Sequence, residues 1–205
     1  MHQTTIKVWD ALVRVGHWIL VVAFAIAYLT EDDFLTVHNW AGYTILAVVV
    51  LRIIWGIIGS EHARFRNFVR GPRAVVHHLR TLLAGRPEHS LGHNPAGGAM
   101  VVALLLCLLL TTITGTVVLA IEHDRGPATW VVSSTMNNAE TVEDVFEEAH
   151  EVLANLTLTL ILLHIGGVVA TSLLGNGGLI RAMITGRKSV AGEDAGVSGG
   201  RNKRS

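Results

Sequence analysis

Charge is scarce in this chain: Asp, Glu, Lys and Arg make up 16% of its 205 residues, against 50% hydrophobic residues and a mean hydropathy of +0.47. That balance excludes a disordered or an ordinary water-soluble chain and points to a membrane protein. Cysteine is almost missing as well. Cys107 stands alone, so no intrachain disulfide can form. Within LLLCLLLTT it is expected to pack as a small apolar residue. The first apolar run has no A-x-A-like cleavage site and three more follow it, so it is expected to be a retained helix. Formal net charge is zero, but the signs are segregated along the chain. No nucleic-acid partner is expected.

What the chain does have is four apolar segments of spanning length, at about residues 11–30, 38–59, 97–121 and 149–174. The links are a short acidic one from Glu31, a basic loop of some 37 residues, and an acidic loop from Glu122 to Asp144. Outside the spans Lys and Arg gather on one side. Lys7, Arg64, Arg66, Arg70, Arg73, Arg80, Arg86, Arg181, Arg187, Lys188, Arg201, Lys203 and Arg204 share it, and only Arg125 lies opposite. Both termini are therefore expected on the cytoplasmic side of the bacterial inner membrane. The stretch GPRAVVHHLRTLLAG suits a short helix at the cytoplasmic surface of the lipid or over the bundle end. The expected architecture is an all-α membrane protein, a four-helix bundle over residues 1–188. A tail, 189–205, rich in Gly and charge, is expected to be disordered.

The costly residues inside the spans carry the chemistry. His150 and His164 lie fourteen residues apart, close to four turns, so they share one helix face and are separated by roughly 21 Å. That suits one cofactor in each leaflet of a hydrocarbon core about 30 Å thick. With the topology above, His17 sits in the inner half of the first span and His38 at the outer end of the second. His17 is then expected to meet His164 at an inner centre, and His38 to meet His150 at an outer one. Two neutral imidazoles from facing helices suit the axial positions of haem iron and leave no open coordination site, which favours electron transfer. No C-x-x-C-H occurs, so the haems would be of b type.

Other residues have weaker claims. Gly16, Gly42, Gly115, Gly166 and Gly167 let a helix or a flat ring approach closely. Arg52 could pair with an inner haem propionate or snorkel to the interface, and Arg14 is expected to snorkel. Trp18, Trp40, Trp55 and Trp130 are expected in interfacial belts. Glu140, Glu143, Asp144, Glu147, Glu148 and Glu151 crowd the outer end of the fourth span, where they complement the helix dipole or form a docking surface for a basic redox partner. His62, His77, His78, His89, His93 and His123 are expected in loops.

Five stretches resemble the bacterial cytochrome b561 family, which also groups with the cytochrome b subunits of nickel–iron hydrogenases. They are VWDALVRVGHW (residues 8–18), LTVHNWAGY (35–43), LRIIWGIIGSEHARF (51–65), GHNPAGG (92–98) and EEAHEVLANLTLTLILLHIGG (147–167). The resemblance runs from about Val8 to Lys188. It implies a four-helix bundle holding two b haems and exchanging electrons with quinone, with ligands at His17, His38, His150 and His164. Family members look like stand-alone quinone-linked oxidoreductases, including superoxide-oxidising ones, or like subunits that anchor a hydrogenase or accept electrons from a c-type cytochrome.

The leading expectation is a dihaem b-type cytochrome carrying electrons between a periplasmic partner and the quinone pool. A superoxide-oxidising quinone reductase, a hydrogenase cytochrome b subunit and a non-redox metal permease using the same histidines are the alternatives. The permease reading needs a polar path, yet the spans offer mainly Thr hydroxyls and no Asp or Glu near the midplane. The sequence does not locate the quinone site or set the direction of electron flow.

Overall fold

The structure is a computed structural model that describes residues 4–7, 10–31, 34–61, 63–83, 95–135, 139–173 and 179–190. Its elements in chain order are β1 (Thr4–Lys7), α1 (Ala11–Leu29), α2 (Leu35–Ile58), α3 (Phe65–Phe68), α4 (Pro72–Leu83), α5 (Pro95–His123), α6 (Thr129–Thr135), α7 (Ala139–Leu173), α8 (Leu179–Thr185) and β2 (Arg187–Val190). Four helices are long and apolar enough to span: α1, α2, α5 and residues Val142–Leu173 of α7. The four-helix expectation holds, with two local corrections. The fourth helix starts at Ala139, ten residues before the apolar boundary, because its acidic first turns are helical although they are too polar to register as a span. The start of the expected tail is a strand: β2 pairs antiparallel with β1, Thr4 opposite Val190 and Lys7 opposite Arg187. The remainder of the tail lies outside the described residues.

The apolar core sits between α1, α2 and α5. Ala23, Ala27, Ala41, Ile45, Val49, Leu105 and Leu108 form one buried cluster, in which the alanines let backbones come close, as lipid-embedded helices require. On α5 the run TTITGT hides its hydroxyls. Thr111 donates to the Cys107 carbonyl at 2.8 Å and Thr112 to Leu108 at 2.9 Å, so no hydroxyl of that pair is left bare in hydrocarbon. Cys107 is buried, as expected. The helix faces outside this core carry Val22, Leu51, Leu106, Leu162 and Leu163, exposed to the bilayer.

One end of the bundle is tied by a single carboxylate. Asp10 caps α1 by accepting from the Val13 amide at 2.9 Å, and it also accepts from Trp55 Nε1 at 2.9 Å and Ser60 Oγ at 2.6 Å. The start of α1 is thereby fixed to the end of α2. Trp55, expected in an interfacial belt, is instead part of this clasp. Beside it α3 folds back under α2, where Gly56 admits the Phe65 ring: a Cβ there would collide with it. α4 follows and packs along α5. α4 is the short helix expected for GPRAVVHHLRTLLAG, so His77 and His78, also expected among the loop histidines, are helical, His77 exposed and His78 buried. His62, His89 and His93 lie outside the described residues.

Partial burial pushes the Asp10 carboxyl up, but the bonds from Ser60, Trp55 and the Val13 amide, with the Arg52 charge, bring it below its ordinary value of 3.8. A depressed carboxylate stabilises the fold above its unfolded pKa and loses that contribution as pH falls through the folded value. Asp10→Ala removes the cap and two side-chain bonds, a loss of about 1–2 kcal/mol, with the charge component screened by solvent. Thermal unfolding in detergent is expected to show a lowered Tm whose deficit is flat from pH 7 to pH 5 and narrows below about pH 4.

Candidate cofactor-binding site

Each of the four histidines is delivered by a spanning helix: His17 by α1, His38 by the first turn of α2, His150 and His164 by α7. The folded chain brings them together in two pairs. The rings of His17 and His164 have centroids 6.5 Å apart with planes at 58°, and those of His38 and His150 lie 6.1 Å apart at 77°. A metal–imidazole bond of about 2 Å on each side of one iron, plus the radius of each ring, places axial imidazole centroids roughly 6 Å apart. Both pairs match that spacing. All four side chains are half-buried.

The His38–His150 pair, expected at the outer level, is also oriented. His38 Nδ1 lies 2.9 Å from the Ala27 carbonyl, and His150 Nδ1 lies 2.8 Å from the Thr111 carbonyl. A carbonyl only accepts, so in both rings Nδ1 carries the proton and donates it. Nε2 of each neutral imidazole is left as the free lone pair. Metal-binding histidines are held in this way. Gly115 makes the second bond possible: a Cβ there would stand 2.7 Å from His150 Cε1. Phe24, Tyr28, Glu31, Gly42 and Tyr43 line the same space, together with His38 and His150.

The inner pair differs. His17 Nδ1 is buried with no hydrogen-bond partner among the described residues, and Trp18 stands edge-on to the ring at 5.3 Å. Arg14 lies one turn before His17; its guanidinium donates to the Ile184 carbonyl and its Nε is buried without a partner among the described residues. Arg52 donates from both terminal nitrogens to the Ala63 carbonyl at 3.2 Å and stacks on Phe65 at 5.1 Å. It is engaged with its own loop, and its other N–H groups make no hydrogen bond among the described residues.

The donor count separates the possible occupants. No group of three or more His, Cys, Asp or Glu converges among the described residues. A bare Zn²⁺ ion needs about four ligands and is poorly served by two imidazoles. Porphyrin iron brings four nitrogens of its own and needs only an axial pair. The residues present therefore fit haem and do not fit a bare-metal path. Sequence reasoning found the four imidazoles but not the Ala27 and Thr111 carbonyls, because backbone acceptors leave no signature in residue type. The acidic cluster rides on the extended start of α7, with Asp144, Glu147, Glu148 and Glu151 exposed. Trp18, Trp40 and Trp130 are exposed, as belt residues would be. His123, expected in a loop, is instead the last residue of α5, where it leans on Glu122 at 3.4 Å.

Comparison with known proteins follows the same line. A family model described as prokaryotic cytochrome b561 matches residues 8–186. The chain is 27% identical over 135 residues to a probable Ni/Fe-hydrogenase 1 B-type cytochrome subunit of Escherichia coli (strain K12), covering 53% of this chain and 57% of the relative. It is 23% identical over 220 residues to a probable Ni/Fe-hydrogenase B-type cytochrome subunit of Bradyrhizobium diazoefficiens, covering 91% of this chain and 87% of that protein. A Rhodobacter capsulatus protein of the same description is 24% identical over 221 residues, covering 91% and 82%. The chain thus spans little more than half the length of the Escherichia coli relative and most of the other two. No solved structure matches the chain.

Gly115→Val places a branched side chain where the His150 ring stands. The variant is expected to lose on the order of half the bound haem, from the outer pair alone, while His17 and His164 retain theirs. Pyridine haemochrome quantitation against protein concentration reads this directly.

Proposed function

The chain belongs to the prokaryotic cytochrome b561 family, and from that premise and its paired imidazoles we propose a dihaem cytochrome that links a periplasmic redox partner to the quinone pool. Family membership and four spanning helices make it a multi-pass bacterial membrane protein with a b-type electron-transfer role. The finer reading rests on one observation: two histidine pairs, 6.1 and 6.5 Å between centroids, on helices that separate them by four turns of α7.

In this reading His38 and His150 hold the outer haem, and His17 and His164 the inner one. Bound haem b supplies a one-electron Fe(III)/Fe(II) couple with no open coordination position. The chain's own work is to hold and orient. Ala27 and Thr111 carbonyls keep the outer imidazoles turned with Nε2 free, and the apolar faces of α1, α2 and α5 keep water from the bundle centre. Arg52, with N–H groups to spare, is placed to receive an inner propionate. Quinone is the lipid-soluble partner, and a c-type cytochrome or another redox protein is the proposed outer one. The basic connections favour a cytoplasmic position for both termini. The β1–β2 pairing supports the part of this that places the two ends on one side.

The described names of the relatives favour a second reading, in which the outer partner is a hydrogenase. Purification of the tagged chain from its native membrane distinguishes the two: a nickel–iron protein retained with it supports the hydrogenase reading. The exposed carboxylates of α7 repel an anion, which tells against superoxide as the donor.

Purified protein is expected to show reduced b-haem absorption bands and about two haems per chain. Single His→Ala changes at 17, 38, 150 or 164 are each expected to remove about one. A colourless, correctly inserted protein overturns the proposal.

A further inference from the structure

We propose that the groove between α1 and α2 binds one anionic phospholipid, its phosphate held by Arg14 and one acyl chain laid along the two helices. The proposal does not depend on what the histidine pairs hold.

The groove has a volume of about 770 Å³ and is walled by α1, α2 and the end of α8. That size falls within the range of ligand sites, about 300–1,000 Å³. Its origin lies in the sequence. Ala23 and Ala41 line it and are buried, so they keep the floor low where larger side chains would fill it. Thr44, the one hydroxyl on its wall among the described residues, donates to the Trp40 carbonyl at 2.8 Å, which leaves no free hydroxyl in hydrocarbon. From Arg14 to Ile26 the α1 wall advances twelve residues, roughly 18 Å. A spanning partner helix would use the full core of about 30 Å. A single acyl chain anchored at one end fits the shorter length.

Arg14 supplies the anchor. One terminal nitrogen donates to the Ile184 carbonyl in the last turn of α8, which fixes the guanidinium at the end of the groove. Nε is buried without a partner and the other terminal nitrogen makes no hydrogen bond among the described residues. No carboxylate pairs with Arg14 among those residues. Asp10, one turn earlier, is committed to Val13, Trp55 and Ser60. Nor does α8 supply an acid: LIRAMIT carries only Arg181, which is exposed.

A guanidinium at the edge of lipid without a counter-charge is costly, and its planar fork suits two oxygens of one phosphate. Basic pockets between spanning helices recognise anionic headgroups in this way. A phosphate carried on an acyl chain satisfies the charge and the apolar groove together. Free phosphate satisfies only the charge, and a second copy of the chain only the groove. Trp18 lines the groove and meets the His17 ring edge-on at 5.3 Å. The lipid site therefore borders the His17–His164 pair without including either imidazole.

The test is native mass spectrometry of the full chain as purified, titrated with phosphatidylglycerol or with phosphatidylcholine of the same acyl chains. One phosphatidylglycerol per chain is expected to bind about fivefold tighter than phosphatidylcholine, the preference one basic residue gives at an anionic surface. Arg14→Gln is expected to abolish that preference at an unchanged haem count, and Arg14→Lys to keep it. Val22→Phe, at an exposed position on the groove wall, is expected to weaken both lipids alike and leave the preference intact. Equal affinities in the unaltered chain, a preference that survives Arg14→Gln, or displacement of the lipid by inorganic phosphate overturns the proposal. So does a dimer of the chain that carries no lipid. Haem lost from Arg14→Gln with the lipid preference retained also overturns it, because the guanidinium then serves the cofactor. The haem count of the unaltered chain tests the dihaem reading separately.

Discussion

An imidazole inside a lipid-embedded bundle carries one donor and one acceptor, and hydrocarbon satisfies neither. In the outer pair the donors are discharged into backbone carbonyls from two different helices. The acceptors are then left without a proton to bind, facing a shared space. Thr111 and Gly115 show how this is arranged along α5. The Cβ of a residue one turn on leans back over the carbonyl of the turn before, so a side chain at 115 would cover the acceptor His150 uses. Glycine leaves it uncovered. The same residue that reads as a weak point in an apolar helix is what lets the ring reach its partner.

The helices were legible because a span is a long signal, and most of their boundaries fall within a few residues of the apolar edges. Where they do not, the reason is physical. Hydropathy marks where a helix meets lipid, and α7 continues for about three turns beyond that point on residues that suit water and a helix N-terminus equally well. The pairing of His17 with His164 and of His38 with His150 followed from depth alone, since antiparallel helices equate the start of one with the end of the next. What depth could not supply was anything owed to the backbone or to distant sequence. The Asp10 clasp joins residues 45 and 50 positions apart. The β1–β2 ladder joins the two ends of the described chain, and no periodicity in either short segment announces it.

These peripheral ties bear on the centre. α1 carries His17, and its register against α2 is set at one end by Asp10 and at the other by the bond from His38 to Ala27. A shift of α1 along its axis would strain both together. The His38–His150 pair and the Asp10 clasp are therefore parts of one mechanical link, although they lie at opposite ends of the bundle.

The packing of α7 shows where the interior is left unfilled by side chains. Thr157 is its fully buried residue, it lies seven positions from each histidine, and its hydroxyl stands 3.4 Å from that of Thr111. α7 is thus pinned to α5 at the height midway between the two pairs. At the height of His38 and His150 there is open space beside Gly42, where an added Cβ would meet nothing within 4 Å. The bundle is held at its waist by Thr111 and Thr157 and left open beside the His38–His150 pair, in a space also lined by Phe24, Tyr28 and Gly42.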